Sequence, residues 1–356
     1  MDIDDTPIFR LDELEAHLQE LVKSPDTPID AKLFDAVELQ LTEYNISPLI
    51  PKLLPTITQI LLTTRQDPTV LASLSVKLLQ PITFPQALEL AAEDALIIAL
   101  RSPIPAANIL AVTIIEKAAK SPSHVALLSN MKGVVENYIR AWLSNPHVEV
   151  GEKTTQVLGK LLAVDSDRRS SITNGVGSMD LDSRHPPGQG LLWRRIFQDQ
   201  DAYEMLFSLC SLNTIGTGDD GLGGRQKTLA QARLLRLLPR LASLDSRMIS
   251  QTYLPEVDKK YISQGGKHGL LYFAAMEMVD KEDLLMHMTL TIFFLEFLDA
   301  ISTTELTGPT KEYVAAMMKK AMESDVELRQ SVEDITVSPD STPELIALVH
   351  SLSREG

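Results

Sequence analysis

The residues of this chain that could do chemistry are a glycine-rich loop followed by a lysine, seven histidines, one cysteine and forty-eight carboxylates. Their spacing argues against most reactions. The stretch Gly218-Asp219-Asp220-Gly221-Leu222-Gly223-Gly224-Arg225-Gln226-Lys227-Thr228 has the composition of a phosphate-binding loop. Such a loop needs glycine directly before the lysine, a strand leading in, and no acid aimed at the phosphates. Here Gln226 precedes Lys227, the flank reads as helix, and Asp219 and Asp220 would repel the ligand. The histidines at 17, 124, 147, 185, 268, 287 and 350 never pair as His-x-x-x-His or Glu-x-x-His, the spacing that puts two metal ligands on one helical face. No Gly-x-Ser-x-Gly occurs, so no nucleophile elbow is indicated. The expectation is a protein without catalytic residue, cofactor or metal.

Cys210 sits among Leu206, Phe207 and Leu209, where a thiol behaves as a small buried hydrophobe. A single cysteine forms no internal disulfide and suits a reducing compartment. The opening Met1-Asp2-Ile3-Asp4-Asp5 is acidic where a signal or transit peptide would be basic. The most apolar run, Leu290 to Leu298, is interrupted by Thr291 and Glu296 and is far short of the ~20 residues that span a bilayer. A protein of the cytosol, the nucleus or both, independent of the membrane and monomeric, is expected.

Net charge is -15, and the first hundred residues hold sixteen Asp/Glu against six Lys/Arg, or -10. Nucleic-acid affinity is dominated by neutralising phosphates, so direct contact with DNA or RNA is disfavoured, and a partner with basic side chains suits the N-terminal part. Two sets of residues have the pattern of a recognition surface. Arg233 and Arg236 fall away from Leu234, Leu235, Leu238 and Leu241 on a helix and, with Arg225 and Lys227, make a local basic patch. Lys32, Asp35 and Glu38 on one helix, and Glu152, Lys153 and Gln156 on another, lie on polar faces opposite apolar stripes. In a solenoid one helix of each pair lines the concave surface, which would make these the residues that grip a partner.

The elements that must position them are helical. Leu11, Leu14, Leu18 and Leu21 form one apolar stripe and predict a helix over 10–23. Pro28-Ile29-Asp30, Asp67-Pro68-Thr69, Pro103-Ile104-Pro105 and Asn145-Pro146-His147 are helix starts, because proline loses nothing at the first helical position and Asp or Asn caps free amides. Measured from Asp30, Pro68, Pro105 and His147, the spacings are 38, 37 and 42 residues. A period near forty built of two helices indicates HEAT or armadillo-like repeats, an all-α solenoid. It is expected to run as a single array over 1–356, with exposed insertions at about 165–187 and 213–224 bracketing a helix pair at 189–212. Trp193 with Leu192, Ile196 and Phe197, and Trp142 with Tyr138, should be core anchors. Further helices are predicted near 226–243, 245–253, 267–279, 281–301, 310–323 and 341–353, with Pro239 kinking or ending the first.

Phe9-Arg10-Leu11-Asp12-Glu13-Leu14, the turn from Gly151-Glu152-Lys153-Thr154 through Val157-Leu158-Gly159-Lys160-Leu161-Leu162, the polar loop, and Gly190-Leu191-Leu192-Trp193-Arg194-Arg195-Ile196-Phe197 together resemble fungal members of the Hsm-three family. That family carries a DNA-mismatch-repair name and is similar to the animal proteasome non-ATPase regulatory subunit five. The resemblance implies a C-shaped stack of armadillo or HEAT-like repeats. It also implies an assembly chaperone for the base of the proteasome regulatory particle, holding the C-terminal domain of one ring AAA ATPase on its concave face. The chain is shorter than the resemblance leads one to expect, so a terminal repeat should be divergent or missing. The alternatives are a generic solenoid adaptor for transport or trafficking and a mismatch-repair accessory factor.

Overall fold

Leu14, Leu18 and Leu21, the stripe read from sequence, are all buried on one side of α1 (Leu11–Lys23). The computed structural model describes residues 7–166, 187–212 and 223–355, in which every regular element is helical and no strand occurs. The glycine-rich stretch up to Leu222 and nearly all of the 165–187 insertion lie outside the described residues. The chain divides into two compact units, Met1–Tyr138 and Ile139–Gly356.

In the first unit α2 (Ala31–Glu38), α3 (Ile50–Thr63), α4 (Thr69–Leu78), α5 (Phe84–Leu90), α6 (Glu93–Arg101), α7 (Pro105–Glu116) and α8 (Pro122–Asn130) follow one another, and α9 (Lys132–Ser144) begins there. Contacts are between near neighbours in sequence: α1 on α3, α2 on α4, α4 on α7 and α6 on α7. That is the pattern of stacked helical hairpins, in which each unit covers its apolar stripe with the next. The predicted starts are observed. Asp30 accepts the amide of Leu33 at 3.2 Å, Asp67 accepts that of Thr69 at 3.0 Å, and Pro105 is the first residue of α7.

The second unit holds α10 (Val148–Asp165), α11 (Leu191–Phe197), α12 (Gln200–Cys210), α13 (Gly224–Ser250), α14 (Pro255–Tyr261), α15 (Leu270–Tyr272, continuing as a π turn over Phe273–Glu277), α16 (Leu284–Ser302), α17 (Gly308–Ser324), α18 (Val326–Val337) and α19 (Pro343–Glu355). His147 precedes α10 as predicted, its amide held at 2.9 Å by Asn145 Oδ1. Here α13 is central, packing on α10, α11, α12, α15, α16 and α17. Trp142, Trp193 and Cys210 are buried as expected, and burial pushes the Cys210 thiol pKa far up.

Four expectations need correction. Pro239 does not end its helix; it is buried with Leu238 and Leu241, and the only non-helical residue of α13 is Asp245, whose carboxylate restarts the helix by accepting the amide of Met248. The apolar run is longer than its Leu290–Leu298 core, since α16 is a 19-residue helix of mean hydropathy 1.7, long and apolar enough by length and composition to cross a membrane. Its Phe293, Phe294 and Phe297 are buried in the second unit. The predicted 267–279 helix begins only at Leu270, after Gly269. Finally, α14 and α18 were not foreseen, because α14 is seven residues long and α18 buries only Leu328 and Val332, too few to make a period visible.

Asp325 caps α18 through the Leu328 amide at 3.0 Å and also meets His287 Nε2 at 2.7 Å and Lys281 Nζ at 3.3 Å. Burial alone would raise its pKa; the Leu328 amide, His287 and Lys281 together outweigh that and hold the carboxyl below its ordinary value. A depressed folded-state pKa contributes stability that is present above the unfolded value, about 3.9, and is lost as pH falls through the folded one. Asp325→Asn should therefore lower stability at pH 7 by about 1–3 kcal/mol in urea unfolding, with the gap from wild type closing below about pH 4. A gap that persists unchanged into acid would contradict this assignment.

Candidate partner-binding surfaces

In the first unit α2 packs on α4, and α4 on α7. The 3.6-residue period that buries Leu33, Phe34 and Val37 turns Lys32 and Asp35 outward, and both are exposed. Glu38 is half-buried and accepts a hydrogen bond from the Ser73 hydroxyl of α4 at 2.8 Å. The three predicted residues thus share one face, and Glu38 reaches the neighbouring α4. Nothing in their geometry is reactive: they offer two carboxylates and an ammonium to a partner's side chains.

The second unit arranges its predicted residues differently. Arg233 is only 6% exposed. Its guanidinium donates from Nη1 to the carbonyls of Trp142 (3.0 Å), Leu143 (3.2 Å) and Asn145 (2.8 Å), and from Nη2 to that of His147 (3.2 Å). The first two are carbonyls of the last turn of α9, which carry the partial negative charge of a helix C-terminus, and the other two lie in the turn that leads into α10. Burial lowers the Arg233 pKa, Glu152 opposes that and Arg236 adds to it. An arginine keeps its proton under such conditions. Arg233 is therefore a structural cap, and with Lys227 also buried, only Arg225 and Arg236 of the four basic residues predicted to form a patch are exposed.

The sequence reading missed what lets Arg233 in. A Cβ at Gly151 on α10 would lie 2.1 Å from Arg233 Nε and 2.2 Å from Cζ. The guanidinium cannot swing away to make room without breaking its four bonds. One or two turns on, Thr155 Oγ1 of the same helix accepts the Trp142 indole N–H at 2.9 Å. Gly151 is visible in the sequence; its role becomes visible only beside Arg233, 82 positions away.

Arg236 and Glu152 form an ion pair, with the two side chains 60% and 41% exposed. Two residues predicted to face a partner thus face each other, a pairing worth about 0–1 kcal/mol at a surface. Lys153 is half-buried and Gln156 exposed. A second missed residue, Asp165, is fully buried and caps α11 from the end of α10, accepting the amides of Leu191 (3.2 Å), Leu192 (2.7 Å) and Trp193 (3.1 Å). Burial raises its pKa against the pull of those amides and of Arg194. Gly188 is obligatory beside it, since a Cβ there would be 2.1 Å from the Asp165 carbonyl carbon.

Besides Asp325 with His287, a second carboxylate meets an imidazole: Asp258 with His268 Nδ1 at 3.4 Å. Asp258 is fully buried and its oxygens accept the Tyr203 hydroxyl (3.1 Å) and the Gly269 amide (2.7 Å). That carboxylate ties α14 to α12 and to the turn before α15, and the described residues bring no serine, threonine or cysteine nucleophile into hydrogen-bonding contact with His268.

Residues 10–160 match the family model described as DNA mismatch repair protein HSM3, N terminal domain. Comparison with curated proteins gives no match.

Replacing Arg233 by Met should cost about 3 kcal/mol or more in chemical denaturation, because buried carbonyls lose their donor. Arg236→Met should change stability by no more than about 0.5–1 kcal/mol. Equal effects would mean that both arginines are surface residues.

Proposed function

Starting from the match of residues 10–160 to the HSM3 N-terminal domain model, we propose that this protein is a non-enzymatic chaperone for assembly of the proteasome regulatory-particle base. It holds the C-terminal domain of a ring AAA ATPase, acts as a monomer in the cytosol, the nucleus or both, and uses neither cofactor nor metal. The family match is the observation that carries this reading. Two features support it. The α2 part of the predicted surface, with Lys32 and Asp35 exposed and Glu38 half-buried, has no reactive geometry and suits recognition. The acidic excess of the first hundred residues suits a basic partner. The same excess speaks against the reading in the family's printed name if that meant direct contact with DNA. A general transport adaptor would have the same helical fold and remains the second reading, separated from the first by its partners.

With the full chain as bait in cell extract, the regulatory-particle ATPases should be enriched; enrichment of transport receptors or repair proteins without them would reject the proposal. On the purified pair, Asp35→Lys combined with Glu38→Lys should weaken binding about tenfold and flatten its dependence on salt, leaving thermal unfolding nearly unchanged. An unaltered affinity would remove α2 from the interface.

A further inference from the structure

Within the first unit, α3, α4, α5, α6 and α7 surround a half-open cleft of about 410 Å³. This falls in the range of small-molecule sites, about 300–1,000 Å³. Its walls are aliphatic, with Leu79, Leu96 and Ala111 inside, and its lining includes Leu62 and Ile98, which are 61% and 65% exposed. Large aliphatic side chains left in water around a concavity lose the free energy that an apolar occupant would recover.

The polar groups of the lining restrict what that occupant can be. Thr58 donates its hydroxyl to the Leu54 carbonyl at 2.8 Å and Ser75 to that of Leu71 at 2.8 Å. Thr64 Oγ1 accepts the Gln66 amide and Ser102 Oγ the Ile104 amide. The Gln66 side chain bridges the carbonyls of Pro25 and Thr27. All five are engaged with the protein's own backbone. Arg65 alone among the polar lining residues makes no hydrogen bond or ion pair, and it is the only ionisable residue of the described lining. It is exposed, just past the C-terminus of α3.

We infer that this cleft is a binding site for an anionic amphiphile: an unbranched aliphatic chain occupies the cleft and a single terminal carboxylate pairs with Arg65. A peptide segment fits less well. Its backbone would bring an N–H and a C=O every residue into a lining with six polar side chains, five of them already bonded to the protein's own backbone, and each unpaired group would be penalised. A saturated acyl chain brings none. The single cation matches a single negative end, and Arg binds a carboxylate through two parallel N–H donors. The site is independent of the partner proposed above, since it requires no second protein.

The test uses the full chain, freed of bound lipid, titrated with the fluorescent fatty acid cis-parinaric acid. One equivalent should bind saturably and be displaced by palmitate, with hexadecanol competing about tenfold less well. Arg65→Gln should erase the preference for the acid over the alcohol. Ala95→Phe and, separately, Ala107→Phe place a ring in the cleft, and each should abolish parinaric acid binding without lowering the unfolding midpoint. Two such variants on different helices guard against one that misfolds. Absence of saturable binding would overturn the inference, as would binding indifferent to both phenylalanine variants. Displacement by a short apolar peptide with a free C-terminus as effective as palmitate would also overturn it, by showing that the cleft takes polypeptide.

Discussion

A short helix leaves four amides and four carbonyls unpaired at its ends, and a protein built from many short helices must satisfy them where water is excluded. In this chain that constraint selects the buried polar residues. Arg233 ties the end of α9 to the turn before α10 with four hydrogen bonds. Asn108 does the same for α6, donating to the carbonyls of Ala99, Leu100 and Ser102. Gln231 reaches the carbonyls of Cys210 and Met278, and Asp165 serves the amides of α11. Each of these side chains comes from another helix, so satisfying a helix end also fixes how two elements sit against each other. An arginine is the strongest of the donors, with five N–H groups and a charge that complements the helix C-terminus. It is also the bulkiest, and α10 accommodates it by having no side chain at residue 151.

This explains which parts of the fold were legible in the sequence. Helix starts are written locally: Asp30, Asp67 and Asn145 act on residues two or three positions away and Pro105 at its own position, and the period of about forty follows from them. Apolar stripes such as Leu14, Leu18 and Leu21 are equally local. The partners of Arg233 are backbone carbonyls, which every residue possesses and no residue type reveals. A charged residue off a leucine stripe then looks solvated, although α13 is packed on several sides. Asp165 resembles the start of a polar loop for the same reason, its three amide partners lying 26 to 28 positions away. The second unit was less legible than the first because its central helix is covered by elements distant in sequence.

The consequence for function is a narrower candidate surface. Of the residues whose type and position suggested recognition, Arg233 is consumed by the fold and Arg236 and Glu152 neutralise each other. Lys32, Asp35 and Glu38 remain together on one face of the first unit, the part of the chain that carries most of the acidic excess and lies inside the family match. Residues 151 to 160 also lie inside that match, and there Gly151 makes room for the cap and Thr155 holds Trp142. Family resemblance in such a segment reports how the helices fit, and recognition has to be sought on the faces that packing leaves open.

The most direct test of this account is a double-mutant cycle between Gly151→Ala and Arg233→Ala, read by chemical denaturation. If the glycine exists to admit the arginine, Gly151→Ala should cost about 2–3 kcal/mol in the presence of Arg233 and close to nothing in its absence, a coupling well above the few tenths expected of independent sites. Additive costs would show that Gly151 and Arg233 act separately and that the cap is not what shapes the packing of α10 on α13.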